Sequence, residues 1–269
     1  MLHPCFPEGK TKALTLSYDD GQIHDKRLVQ ILNQNNIKAT FHLNSGLFGT
    51  KTENDEYLKA EEIVDLYAGH EVSCHGVWHQ YFTHLNTTQL TAEVWENRRA
   101  LERLASYPVC GMSYPFGDYS DDAISILRSL GIEYARTVES TGDFKLPVDF
   151  LRWNPTCHQS KASELVDKFL NRPHYAQMSL FYIWGHSFEF ARENNWDMIE
   201  ELCVKLAGKK DVWYATNIDI KRYTCALRNA VMDADGTMIE NLSHLTLYYR
   251  GDHGLIELAP GKTISLLQE

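Results

Sequence analysis

The sequence lacks an excess of basic residues. Its 26 lysines and arginines are outnumbered by 36 aspartates and glutamates, which gives a formal net charge of −10. A partner such as nucleic acid or an anionic membrane surface requires a positively charged patch, so we expect neither partner. The apolar run 180–184 is far shorter than the roughly 18 residues that a transmembrane helix needs. We therefore expect no membrane span.

Closely spaced cysteine pairs and an apolar leader are missing as well. The six cysteines are scattered over 269 residues without a C-x-x-C motif. Such spacing is typical of reduced thiols rather than of a disulfide framework. The residues that follow Met1 do not form a basic region followed by an apolar segment, so no secretory signal is visible. Both features predict a cytoplasmic protein.

What the sequence does contain is an alternation of β-rich runs and amphipathic helical patterns. The predicted strands are 13–18, 38–43, 71–73, 109–114, 133–138, 178–184 and 212–215, and the predicted helices are 25–35, 91–105, 121–130 and 194–206. This alternation indicates a largely parallel sheet built from βα units. About seven such units predict an α/β fold of the distorted TIM-like (β/α) barrel type, with an open doubly wound sheet as the alternative.

The helical pattern stops after about residue 222. Residues 245–249 and 254–258 are predicted to be strands, because they are β-rich and separated by Gly, Asp and Pro turns. We predict a barrel domain over residues 1–222 and a small β-rich C-terminal appendage over residues 223–269. No flexible linker is visible between them, so we expect direct packing.

Residues that can carry chemistry follow several predicted strands. Asp19 and Asp20 follow the first strand, His75 and His79 follow the third, and His186 follows the strand 178–184. The carboxyl ends of barrel strands are where barrel enzymes build their sites. Two histidines four residues apart and one carboxylate provide the three ligands of a catalytic zinc site. The same ligand types describe a non-haem iron oxygenase, and the pattern alone leaves both open.

Three motifs in this order resemble the polysaccharide deacetylase family of the NodB-homology type, also called carbohydrate esterase family four. They are TLSYDDG (15–21), KATFHLN (38–44) and GHEVSCHGVWH (69–79). The resemblance extends over roughly residues 13–215. It implies a (β/α) barrel hydrolase that removes acetyl groups from N- or O-acetylated saccharides with one divalent metal ion.

The resemblance also implies a role for each motif residue. Asp19 would be the general base and His186 the general acid, and the backbone N–H of Phe116 would stabilise the oxyanion. The metal, zinc in the first place with cobalt, manganese, nickel or iron as alternatives, would be held by Asp20, His75 and His79.

The chain departs from the family pattern at one position that bears on the base. The family motif begins with an arginine that tunes the base, and Ser113 stands there. An aspartate without a nearby cation binds its proton more tightly, so we expect Arg136 or Arg152 to supply the missing charge.

Three further residues are candidates for contacts with the substrate, namely Tyr114, Trp184 and His158. The resemblance fixes the reaction centre better than the substrate. An amide hydrolase of nitrogen metabolism on the same fold therefore stays open. So does a catalytically weak sugar-binding protein, because the motif arginine is missing.

Overall fold

The computed structural model describes residues 2–173 and 178–266. The strands, in chain order, are β1 (His3–Cys5), β2 (Lys12–Asp20), β3 (Thr40–Leu43), β4 (Glu71–Cys74), β5 (Gly111–Ser113), β6 (Tyr134–Arg136), β7 (Cys157–His158), β8 (Ser179–Gly185), β9 (Val212–Tyr214), β10 (Val231–Met232), β11 (Met238–Glu240), β12 (Leu247–Gly251), β13 (Gly254–Leu258) and β14 (Thr263–Ser265). The helices are α1 (Asp25–Gln34), α2 (Ile63–Leu66), α3 (Thr87–Ala105), α4 (Asp121–Ser129), α5 (Ala162–Leu170), α6 (Ser187–Arg192), α7 (Trp196–Leu206) and α8 (Asn217–Arg228).

The central sheet is parallel and curls into a barrel. Its strand order is β6-β5-β4-β3-β2-β8-β7, and β9 pairs with the first residues of β2. Residues 153–158 bring the two edges together, because Trp153 exchanges backbone hydrogen bonds with residues 135 and 137 while β7 pairs with β8. The predicted distorted (β/α) barrel of about seven strands is therefore confirmed, and the open sheet is excluded.

Side-chain alternation along β2 separates an apolar shell from a polar lumen. The side chains of Leu14, Leu16 and Tyr18 belong to the apolar core, as do the buried side chains of α1. The residues between them bond to polar groups inside the barrel: the Thr15 hydroxyl donates to Asn217 at 2.8 Å. Successive strand residues face opposite sides of a sheet. The same alternation carries Asp19 to the carboxyl end of the lumen.

The N-terminus of α8 closes the other end of the lumen. The backbone N–H of Ile218 donates to Glu71 at 2.9 Å, and that of Asn217 donates to Thr40 at 2.9 Å. Burial raises the pKa of Glu71 to about 7, although the hydrogen bond from Ile218 acts in the opposite direction. The candidate catalytic residues lie at the opposite end of the barrel, where the strands end.

The C-terminal strands form two small antiparallel sheets, β1-β12-β13 and β10-β11-β14. The predicted strands 245–249 and 254–258 correspond to β12 and β13. The domain boundary predicted after residue 222 falls inside α8, and β1 pairs with β12 in the register His3–Arg250. Tyr223 on α8 connects the barrel to the strands β1 and β12, because its hydroxyl donates to the carbonyl of Cys5 and accepts from the N–H of Tyr248.

Within the described ranges, none of the helices is both long and apolar enough to cross a membrane. The six cysteines are all free thiols, and five of them are buried.

Candidate active site

Three of the residues predicted as metal ligands converge where β2 and β4 end. Asp20 is the last residue of β2, and His75 follows β4 directly. The Oδ1 atom of Asp20 lies 3.5 Å from Nε2 of His75 and 3.6 Å from Nε2 of His79. The ligand atoms of all three lie within 4.8 Å of one another. We call this group the Asp20 cluster.

The backbone around the Asp20 cluster adopts an uncommon conformation. Asp20 has φ +80° and His79 has φ +56°, both in the left-handed region that non-glycine residues avoid. Each such residue costs on the order of 1–3 kcal/mol and persists only where the surroundings hold it. Gly76, at φ +79°, lies against Glu93, which accepts the backbone N–H of Trp78. The segment between the two histidines is thereby held in place.

The hydrogen bonds of His75 leave its Nε2 atom free to bind a metal. Its Nδ1 atom lies 2.9 Å from the backbone carbonyl of Ser113, which can only accept, so Nδ1 carries the proton. A ligating histidine almost always makes such a bond through its other ring nitrogen. Burial holds the pKa of His75 well below its ordinary value, so the imidazole is neutral. These residues therefore fit a divalent metal ion.

The predicted base, Asp19, is buried beside the Asp20 cluster. Its Oδ2 atom contacts the guanidinium of Arg136, and its Oδ1 atom accepts a hydrogen bond from Ser113 at 3.1 Å. Burial alone would raise the pKa of Asp19. The positive charge of Arg136 outweighs burial and holds that pKa well below its usual range. Asp19 is thus ionised at neutral pH.

The two candidate arginines lie in different surroundings. Arg136 ends β6, is fully buried and lies with its guanidinium carbon 4.3 Å from the ring centre of Trp184. Arg152 is 40% exposed and forms ion pairs with Asp121 and Asp149. The structure therefore brings Arg136, and not Arg152, to the base.

His186 belongs to a second group of two histidines and a carboxylate, which we call the Glu189 cluster. The Nδ1 atom of His186 lies 2.9 Å from Oε1 of Glu189, and Nε2 of His158 lies 3.1 Å from Oε2. Burial alone would lower the pKa of His186, but the hydrogen bond to Glu189 and the negative charges of Asp19, Asp20 and Glu189 raise it. Glu189 was not predicted from the sequence. The signal for it is the spacing His-x-x-Glu at the start of α6.

The aromatic candidates divide between the site and the core. Phe116 is half exposed, and its ring stacks on Tyr81 at 3.9 Å and meets the edge of His79 at 4.3 Å. Tyr114 is buried, and its hydroxyl donates to a backbone carbonyl, so its side chain belongs to the core. Trp184 is partly buried and its ring lies 4.9 Å from that of His158.

A buried histidine near the base was also missed. His42 on β3 is the register partner of Asp19. It is fully buried, and neither ring nitrogen has a hydrogen-bond partner among the described residues. Burial lowers the pKa of His42 to about 3, so it is neutral. The alternation of β3 could have indicated it, because Thr40 and His42 face the same side.

Comparison with known proteins agrees with the motifs. Residues 7–135 match the family model of polysaccharide deacetylase, which confirms the predicted resemblance. None of the curated proteins matches the chain in sequence.

Among the similar solved structures, the following two share the fold. A family 4 carbohydrate esterase from Streptomyces lividans in complex with acetate is 17% identical, with a TM-score of 0.51 over 76% of this chain and 91% of that one. Puue allantoinase is 14% identical, with a TM-score of 0.64 over 82% and 92%. The Streptococcus pyogenes deacetylase PplD in complex with acetate is 21% identical, with a TM-score of 0.47 over 51% of this chain. The alignment spans 61% of that chain, less than two thirds of its length.

Proposed function

We propose that this chain, whose residues 7–135 match the polysaccharide deacetylase family model, is a metal-dependent hydrolase that removes acetyl groups from acetylated saccharides. One observation carries the proposal. A neutral His75 with its Nε2 directed at Asp20 lies next to a buried carboxylate, Asp19, that Arg136 keeps ionised. A set of metal ligands adjoining a proton acceptor is the minimum for hydrolysis by an activated water.

The Asp20 cluster supplies two imidazoles and one carboxylate, a ligand set that zinc binds in catalytic sites and that cobalt, manganese, nickel and iron also accept. When bound there, the ion would polarise the acetyl carbonyl and lower the pKa of a coordinated water. Asp19 accepts the proton of the attacking water. Arg136 keeps Asp19 ionised and therefore able to accept that proton. The absence of an arginine at position 113 consequently does not argue for an inactive protein.

The other side of the reaction belongs to His186 and Phe116. Glu189 accepts the Nδ1–H of His186 and favours the protonated form of the ring, in which Nε2 carries the second proton. His186 donates that proton to the leaving amine or alkoxide. The backbone N–H of Phe116 stabilises the developing oxyanion, which is where a preorganised donor helps most.

The decisive experiment measures acetate release. Metal-free protein is reconstituted with Zn²⁺ or Co²⁺ and offered N-acetylated monosaccharides, chitooligomers, peptidoglycan fragments and acetylated xylan. We expect turnover of at least one class, its loss on chelation, and its loss in Asp19→Asn with metal content unchanged. Saccharide binding without turnover by the metal-loaded protein would instead indicate a sugar-binding protein.

A second candidate function is hydrolysis of a cyclic or linear amide in nitrogen metabolism. The observation that favours it is the shared fold with an allantoinase at a TM-score of 0.64. The same base, acid and ligand set can act on other C–N acyl bonds. Ring-opening of a cyclic amide without acetate release would favour this function over deacetylation. Oxygen consumption by the iron-loaded protein would point to the oxygenase that the ligand types also allow.

A further inference from the structure

Ser113 links a metal ligand to the base. Its Oγ atom lies 2.7 Å from Nδ1 of His75 and 3.1 Å from Oδ1 of Asp19. All three side chains are buried. We propose that Ser113 is a positioning residue whose hydroxyl couples the orientation of the metal ligand His75 to the carboxylate of Asp19. This inference rests on the proposed function, because it gives those two residues the roles of ligand and base.

The direction of the hydrogen bonds follows from the number of protons. An ionised carboxylate only accepts, so the single hydroxyl proton of Ser113 is donated to Asp19. The oxygen of that hydroxyl is then an acceptor toward His75, whose Nδ1 must carry a proton. The carbonyl of the same serine, 2.9 Å from Nδ1, requires the same tautomer. The bare Nε2 atom consequently faces Asp20 at 3.5 Å.

The position of Arg136 explains how a serine can stand at a position where the family has an arginine. Ser113 and Arg136 are register partners on the neighbouring strands β5 and β6. The guanidinium approaches Asp19 from β6 and contacts Oδ2, while the serine takes Oδ1. The cation beside Asp19 thus comes from β6 rather than from position 113 on β5. The short hydroxyl at position 113 lies between Asp19 and His75.

This arrangement predicts that metal affinity depends on Asp19 through Ser113. An outer partner that fixes the tautomer of a ligating histidine is worth about 10- to 100-fold in metal affinity. Because the carbonyl of Ser113 remains in any variant, we expect the lower value, about tenfold, when the hydroxyl is removed.

The test titrates Co²⁺ into metal-free protein against a competing chelator and follows the visible absorption of the bound ion. Ser113→Ala should weaken Co²⁺ binding about tenfold, and Ser113→Thr, which keeps the hydroxyl, should restore it. The matched control is Ser17→Ala, another buried hydroxyl of the lumen, which bonds Tyr182 at 3.1 Å. We expect unchanged Co²⁺ affinity in this control.

The coupling itself is measured by a double-mutant cycle. In the Asp19→Asn background the hydroxyl has lost its ionised acceptor, so Ser113→Ala should weaken Co²⁺ binding by clearly less than tenfold. Equal effects in the two backgrounds, full affinity in Ser113→Ala, or equal weakening in Ser17→Ala would each overturn the inference. Failure of the wild-type protein to release acetate despite tight Co²⁺ binding would count against the proposed function alone.

A measurement on the unaltered protein does not depend on the folding of any variant. The ¹⁵N chemical shifts of His75 in metal-free protein should show the Nδ1–H tautomer. A proton on Nε2 would contradict the arrangement.

Discussion

Among residues 2–173 and 178–266, two groups of two histidines and one carboxylate differ in where the ring protons lie. In the Asp20 cluster, Nδ1–H of His75 bonds away from the carboxylate, and the bare Nε2 faces it. In the Glu189 cluster, Nε2 of His158 and Nδ1 of His186 lie 3.1 and 2.9 Å from the carboxylate oxygens of Glu189, which accept hydrogen bonds, so each of these nitrogens carries a proton. The first cluster presents lone pairs and the second presents protons.

Residue types alone therefore do not distinguish a metal site from a site that holds a proton. Both groups bring their ligand atoms within 4.8 Å of one another. The outer hydrogen-bond partner of each ring sets the tautomer, and the tautomer decides whether a cation or a proton is held. We assign metal binding to the Asp20 cluster and proton donation to His186 in the Glu189 cluster.

The largest effect should come from the ligands themselves. Alanine at Asp20, His75 or His79 should remove most bound metal and reduce turnover to background, because fewer than three ligands remain. Glu189→Gln is the matched change in the other cluster and should keep stoichiometric metal. Elemental analysis after gel filtration measures the metal content of both kinds of variant. Metal loss from Glu189→Gln would contradict the assignment of metal binding to the Asp20 cluster.

Removal of the proton donor should have the next largest effect. His186→Ala should lower kcat by about 10²–10⁴ while metal content stays intact, which is the usual contribution of a general acid. Steady-state kinetics with a good and a poor leaving group provide the control. The loss should be smaller for the good leaving group, and an equal loss for both would assign His186 another role.

The cation beside the base should control the acid side of the pH profile. Activity requires ionised Asp19 and is lost as pH falls through its pKa. Arg136→Ala removes the charge that holds that pKa down, so this limb of kcat/KM should move to higher pH. Arg152→Ala is the control and should leave the limb unchanged. Because an unpaired buried carboxylate costs about 3–5 kcal/mol, thermal unfolding of Arg136→Ala and Arg136→Lys should be measured in parallel.

The smallest effect should come from the partner of the acid. Glu189→Gln should lower kcat about tenfold, which is less than the roughly 10²–10⁴ lost with the acid itself, since His186 remains but is less well held. The negative charge of Glu189 raises the pKa of His186, so its removal should move the alkaline limb of the profile to lower pH. His158→Ala should leave that limb nearly in place, and a shift as large as that of Glu189→Gln would make His158 an equal partner.

The parts of the site that lie close in sequence could be predicted, and those that depend on tertiary contacts could not. Asp19, Asp20, His75 and His79 lie on two strand ends, and a parallel sheet brings such ends together. The choice between the two arginines depends on the register of β5 and β6, which no local pattern encodes.

Two further differences have simple causes. Successive residues of a strand face opposite sides of the sheet. Because Ser113 faces the barrel lumen and Asp19, Tyr114 faces the apolar core outside the barrel. Glu189 lies on α6, whose six residues are too few for a helical period to be visible. The strand β7 was not predicted either, because its two residues are too few to show an alternation of apolar and polar side chains.

The pairing of β1 with β12 affects the order in which the chain folds. His3 pairs with Arg250, so β1 finds its partner strand only after the barrel strands and α8 have been synthesised. Contacts of such high sequence separation form slowly, because the loop entropy is lost before they are gained. A ribosome-stalled fragment that ends before β12 should therefore leave residues 3–5 open to proteolysis. The contacts that hold β1 in place therefore depend on the prior synthesis of β12.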